Sequence, residues 1–223
     1  MQKKTSMLLL TLFLPIFFMF SLFAPSLSNS ATISYYFDIN NSGIVGGPWG
    51  MVTLTDTDYD SHRVDFIVDP FASAFLSTNN FGLQKFVFNE STPDGTKLSF
   101  INLPFGWDGT YNENNINIGA YGQFDLSTTG TGSNRQDPLT FSVTSPAAFT
   151  IDISNFTTEL STQNYLFAGH IAGFTAAGSP EITSAKFSTT GHPVNTVPEP
   201  ATMFLLGSGL IGLAGFARKR FKK

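Results

Sequence analysis

The sequence predicts an all-β domain, a β-sandwich or jelly-roll-like fold, flanked by an apolar segment at each end. Three observations carry this. Between residues 31 and 197 the chain is rich in Thr, Ser, Asn, Gly and Phe and poor in Lys, Glu and Leu, the composition of strands and turns. Short runs there place apolar residues at every second position, which lines them up on one face of a strand. Clusters of Gly, Pro, Asn and Asp separate the runs, and these residues supply turn conformations.

The elements follow in chain order. Residues 1–30 read as a signal peptide: basic Met1-Gln2-Lys3-Lys4, apolar Met7 to Ala24, then small residues from Ser26 to Ala31. Residues 31–191 form the predicted exported domain. Its clearest alternation is Ile116, Ile118, Ala120, Gly122, Phe124, Leu126, followed by Leu139-Phe141-Val143, Phe149-Ile151-Ile153 and Val64-Phe66-Val68. Thr32–Ile39, Val52–Thr57, Lys85–Asn89, Leu98–Leu103, Tyr165–Phe174 and Thr183–Phe187 complete about ten strands. Phe71 to Phe81 alternates poorly and reads as a loop or one helical turn. Sixteen of the 24 Phe fall in this domain, and Phe66, Phe124, Phe141 and Ile151 are expected in its core. Residues 192–197 are a stalk. Residues 198–223 begin with Pro198-Glu199-Pro200, continue with the uncharged span 201–217, and end in the basic run 218–223. As a helix that span is roughly 25 Å long, enough for a short membrane crossing. Arg218, Lys219 and Arg220, with the lysines after them, hold the end in the cytoplasm and leave the domain outside the inner membrane.

Charge narrows the partners. Residues 31–197 contain five Lys or Arg and fifteen Asp or Glu, so their net charge is 5 − 15 = −10, against −4 for the whole chain. Nucleic acid is excluded as a partner, since its binding is carried by Lys and Arg. The chain has no cysteine, which excludes disulfides, thiol nucleophiles and thiolate metal sites.

The C-terminal residues resemble the PEP-CTERM sorting domain, also called an ice-binding protein C-terminal domain. The resemblance covers Val197 to Lys223: the Pro198-Glu199-Pro200 triplet, an apolar span containing Gly207, Gly209, Gly212 and Gly215, and the Arg-rich end. It implies processing by exosortase, a membrane enzyme of Gram-negative bacteria that make exopolysaccharide. It implies nothing about ice. Two prolines hold the triplet extended, the geometry a protease reads.

Candidate sites in the middle are sparse. Asp56, Asp58 and Asp60 alternate in Asp56-Thr57-Asp58-Tyr59-Asp60 and are candidate Ca²⁺ ligands, carboxylate oxygens being what this cation prefers. The plainer reading is a solvated acidic turn after a strand, and Ser61 and Ile67 stand where an EF-hand has Gly and Glu. His62, His170 and His192 have no metal-ligand spacing, and His170 falls within an alternating strand. No nucleophile elbow or phosphate loop is present. Trp49 and Trp107 sit among turn residues. Trp107, Tyr111 and Asn112, with Asn114 and Asn115 beyond, combine aromatic faces with amides as sugar-binding surfaces do; the tryptophans serve equally well as plugs at the ends of a sandwich. The expectation is a non-enzymatic, exported cell-surface or extracellular-matrix protein associated with exopolysaccharide. The alternatives are a carbohydrate-binding module, with or without Ca²⁺, and more remotely a secreted hydrolase.

Overall fold

The computed structural model describes residues 30–56, 60–93, 97–194 and 207–209. The first of these stretches holds β1 (Thr32–Tyr36), β2 (Ile39–Asn40) and β3 (Gly50–Asp56). The next hold β4 (Arg63–Pro70), β5 (Ser77–Phe88) and β6 (Ser99–Ile101). Beyond them come β7 (Trp107–Asn117), β8 (Gln123–Gly130), β9 (Leu139–Thr144), β10 (Phe167–Thr175) and β11 (Ser184–Ser188). Three short 3-10 turns are interspersed.

The strands make two antiparallel sheets, of order β1-β3-β4-β9-β6 and β2-β11-β10-β5-β8-β7. Val64, Phe66 and Val68 on β4, with Leu139, Phe141 and Val143 on β9, meet Phe86 and Phe88 on β5, Leu126 on β8 and Phe167 on β10 in one buried cluster. The two sheets therefore form a sandwich. The hairpins β3–β4, β7–β8 and β10–β11 each stay within one sheet, an order unlike the paired four-stranded sheets of a jelly roll. Without disulfides, the burial of aromatic rings carries the stability. Phe66 stacks on Phe141 at 4.9 Å between ring centroids and meets Phe156 edge-on at 5.4 Å, geometries aromatic pairs favour.

A smaller cluster covers the outer face of the second sheet: Val87, Phe124 and Ala168 beneath Ile116, Ile118 and Tyr121. The run Ile116 to Leu126 is responsible, and here the sequence expectation is corrected. It is a hairpin, not one strand: β7 ends at Asn117, a 3-10 turn spans Gly119–Tyr121, and β8 begins at Gln123. Gly119 and Gly122 adopt φ of 77° and 85°, values that only glycine adopts without strain. The alternation survives because the turn folds its own apolar residues onto the sheet.

Phe149-Ile151-Ile153 is also not a strand. Asp152 accepts from the Ser154 N–H at 2.7 Å, and Asn155 accepts from the Asp152 N–H at 2.9 Å. This capping box starts a 3-10 turn at Ile153–Phe156. Phe66, Phe124, Phe141 and Ile151 are all buried. Phe71 to Phe81 divides into a single 3-10 turn, Ala72–Ala74, and the start of β5. The predicted signal peptide lies outside the described residues. So do the Pro198-Glu199-Pro200 triplet, the Arg218-Lys219-Arg220 run and all of the predicted span except 207–209, which are helical. Among the described residues no helix is long and apolar enough to cross a membrane.

Candidate functional site

β7 runs along the edge of the second sheet and presents the aromatic and amide residues singled out in the sequence. Its pairing with β8 runs Trp107↔Gly130 to Tyr111↔Leu126, then resumes at Ile116↔Phe124. Five steps on β7 thus match two on β8, so Asn112 to Asn115 loop out as a wide bulge. Asn114 takes φ of 49°, a conformation asparagine tolerates. Asp125 pins the bulge: one carboxylate oxygen accepts from the Asn114 N–H at 2.6 Å and the other from the Glu90 N–H at 3.4 Å.

The structure separates the three sugar-contact candidates. Trp107 is only 5% exposed and belongs to the sandwich core. Its indole N–H donates to the Asn134 carbonyl at 2.6 Å. Its five-membered ring lies over Gly130, where an added Cβ would fall 2.4 Å from the indole. Trp107 is a plug, as is the buried Trp49. Tyr111 is 41% exposed and Asn112 is exposed beside it.

Tyr111 stands between two depressions. One, of about 380 Å³, is lined by Leu98, Phe100, Leu103, Trp107 and Gly109 among others. The other, of about 330 Å³, is lined by Glu90, Glu113, Asp125 and Glu159 with Thr92 and Pro93. The Tyr111 hydroxyl donates to Glu90 at 3.2 Å. Burial and then the Glu90 charge push the Tyr111 phenol up to about 12, so the hydroxyl stays protonated. Glu159 is raised by burial first and then by Asp125, Glu90 and Glu113. The four acids come from residues 90 to 159, and no local spacing in the sequence announces them.

Two of the proposed calcium ligands are engaged otherwise. Asp56 accepts from the Ala31 N–H at 3.0 Å and the Ile153 N–H at 3.4 Å, tying β3 to β1 and to the 3-10 turn at Ile153. Asp60 accepts from the His62 N–H at 3.0 Å, closing a tight turn. Asp58 lies outside the described residues. Among the described residues no three acidic or histidine side chains converge on a metal position. His62 meets the Phe149 carbonyl at 2.6 Å, His192 is exposed after β11, and His170 lies on β10.

Comparison with known families resolves the tail. Residues 196–220 match the PEP-CTERM protein-sorting motif. The match falls on the triplet, the apolar span and the first basic residues, the segment the sequence set apart. No curated protein and no solved structure matches the chain. A PEP-CTERM tail implies an exported protein with a membrane-anchored intermediate and an exosortase as its processing enzyme.

Proposed function

We propose that this chain is a cell-surface or extracellular-matrix interaction protein. Exosortase releases its all-β domain from the inner membrane at Pro198-Glu199-Pro200, and the domain then associates with exopolysaccharide. The PEP-CTERM match at residues 196–220 carries the reading. The triplet lies directly against the apolar span 201–217, within reach of a membrane-embedded enzyme. The basic end keeps the span in place while the cut is made. No catalytic step by this chain enters the reading.

Replacing Pro198, Glu199 and Pro200 with Ala leaves the apolar span untouched. The expected result is normal membrane insertion and no release. Mass spectrometry of the exported protein in cells with and without exosortase checks this. Recovering Arg218–Lys223 on the mature domain equally in both strains overturns the proposal and leaves a permanent anchor.

A second reading is favoured by one feature, the exposed Tyr111 ring between two depressions. In this reading Tyr111 stacks on a sugar and Asn112 hydrogen-bonds it. Calcium at Asp56, Asp58 and Asp60 is not needed for that contact.

A further inference from the structure

Residues 31–197 hold only five Lys or Arg, and three of these, Lys85, Arg135 and Lys186, gather around His170 on the second sheet. The strand register sets the arrangement. His170 on β10 pairs with Lys186 on β11 and with Lys85 on β5. Lys186, His170 and Lys85 therefore stand in one row across three neighbouring strands. They point away from the sandwich, because Ala185, Phe187, Phe86 and Ile171 beside them enter the core. Gln84 extends the group: with its amide oxygen turned to Arg135, it accepts from that guanidinium at 3.2 Å and donates to His170 Nδ1 at 3.2 Å. Arg135 also donates to the Asn80 carbonyl at 2.7 Å, and Lys85 to the Asn117 carbonyl at 3.3 Å. Every named acceptor here is neutral.

Among the described residues no carboxylate forms an ion pair with the cluster. The only ion pair among the described residues is Arg63–Asp65, on the other sheet. The nearest acid in the row is Asp108, two strands from Lys85 by way of Thr129, about 10 Å at ordinary strand spacing. Tyr121 offers only a neutral hydroxyl, which donates to the Lys186 carbonyl at 3.1 Å. All four basic side chains are half-buried, where like charges repel more strongly than in water. The hairpin turn confines one side: a Cβ at Gly119 would fall 2.7 Å from the Lys186 ammonium. A domain with fifteen acids has ample means to pair these cations, yet among the described residues it leaves them together without an ion pair.

We propose that Lys85, His170 and Lys186 form a binding site for a tetrahedral oxyanion, a singly charged sulfate ester or a doubly charged phosphate monoester, on the outer face of the second sheet. Two unbalanced ammonium groups match or exceed its charge, and the imidazole between them, whose Nδ1 accepts from Gln84, offers its Nε2–H as a further donor. Lysine binds such groups as a point charge. Burial, then Lys186 and Arg135, depress the His170 pKa. A bound anion reverses the electrostatic part of that shift, so His170 reports on occupancy.

The test uses the full chain with isotope-labelled histidine in nonionic detergent micelles. Sodium sulfate and sodium phosphate are titrated separately, with sodium chloride holding ionic strength constant. The His170 ring signal is assigned through its loss in His170→Gln. The expected result is a saturable shift with at least one of the two anions. The His170 pKa should then rise by about half a unit or more toward its ordinary value. The anion that saturates identifies the ester class. Lys186→Gln and Lys85→Gln should each abolish saturation, while Lys97→Gln should keep it. No saturable response to either anion in the unsubstituted chain overturns the proposal. So does a response reproduced by chloride alone, or one kept in both Lys85→Gln and Lys186→Gln.

Discussion

A carboxylate that is 3% exposed and outside any described ion pair has to be stabilised by neutral donors, and Asp125 finds them in the backbone. It accepts from the Asn114 and Glu90 N–H groups, while its own N–H donates to the Asn89 side chain at 2.9 Å. One residue thereby fixes the β7 bulge and the entry to the acidic depression. Asp125→Ala leaves two backbone N–H groups without a protein acceptor. The expected cost is about 2–4 kcal/mol, from a charge-assisted bond lost and a donor stranded. Denaturant unfolding should show a lower midpoint, and hydrogen exchange should speed up at Asn114 and Glu90. An unchanged midpoint would mean that water replaces the carboxylate. No local pattern marks this role, since Asp125 is the polar member between Phe124 and Leu126 in an alternating run and reads as solvent-facing. Phe66 and Phe141 were legible because burial of a large apolar residue is fixed by the face it occupies, whereas Phe124 is buried in the outer-face cluster and not beside Leu126 in the sandwich core.

At the level of elements, β7 is where the sequence misleads most. Trp107 to Asn117 contains Asp, Gly and four Asn, residues depleted in strands, and their pattern suggests turns. The strand forms because β8 supplies its ladder and the Trp107 ring is anchored in the core. Tertiary pairing overrides local propensity here. The reverse error occurs at Phe149-Ile151-Ile153, where apolar spacing suggests a strand but the Asp152–Asn155 capping box supplies a turn. β4 and β9 were readable because their apolar alternation is unbroken, and Val64, Phe66, Val68, Leu139, Phe141 and Val143 are all buried. Of the candidate sugar-contact residues, Tyr111 and Asn112 are exposed, whereas Trp107 belongs to the core. If the second functional reading holds, Tyr111→Ala should weaken binding to a glycan-array hit at least about tenfold, roughly 1.4 kcal/mol. Thermal stability should be nearly unchanged, because the ring is partly exposed. A chelator should change nothing, since Asp56 and Asp60 serve backbone N–H groups. Glycan binding that survives Tyr111→Ala removes Tyr111 as the contact.

For the whole molecule the governing quantity is the net charge of −10 on residues 31–197, set against a single described ion pair. Such a domain is held by its core and opposed by its own field. Raising ionic strength from 0.01 to 0.15 M shortens the screening length from about 30 Å to about 8 Å. Most of the long-range repulsion is lost over that interval. The melting temperature of the full chain in nonionic micelles should therefore rise with salt by a few degrees. Protonation of carboxyls acts in the same direction. Burial raises the carboxyls of Asp69, Asp137 and Glu159, and neighbouring acids add to the shift in the last two. A carboxyl raised on folding contributes stability below its unfolded value that is lost as pH rises through the folded one. Lowering the pH from 7 toward 5 recovers part of it. His170 opposes this: its pKa is depressed on folding, so its contribution is present above the ordinary value near 6.5 and is lost as pH falls. The two effects act in opposite directions between pH 7 and 5. His170→Gln removes the opposing one, so on acidification its melting temperature should change more favourably than that of the unsubstituted chain. A melting temperature that falls with added salt would mean that attractive charge pairs dominate and the core does not carry the fold alone.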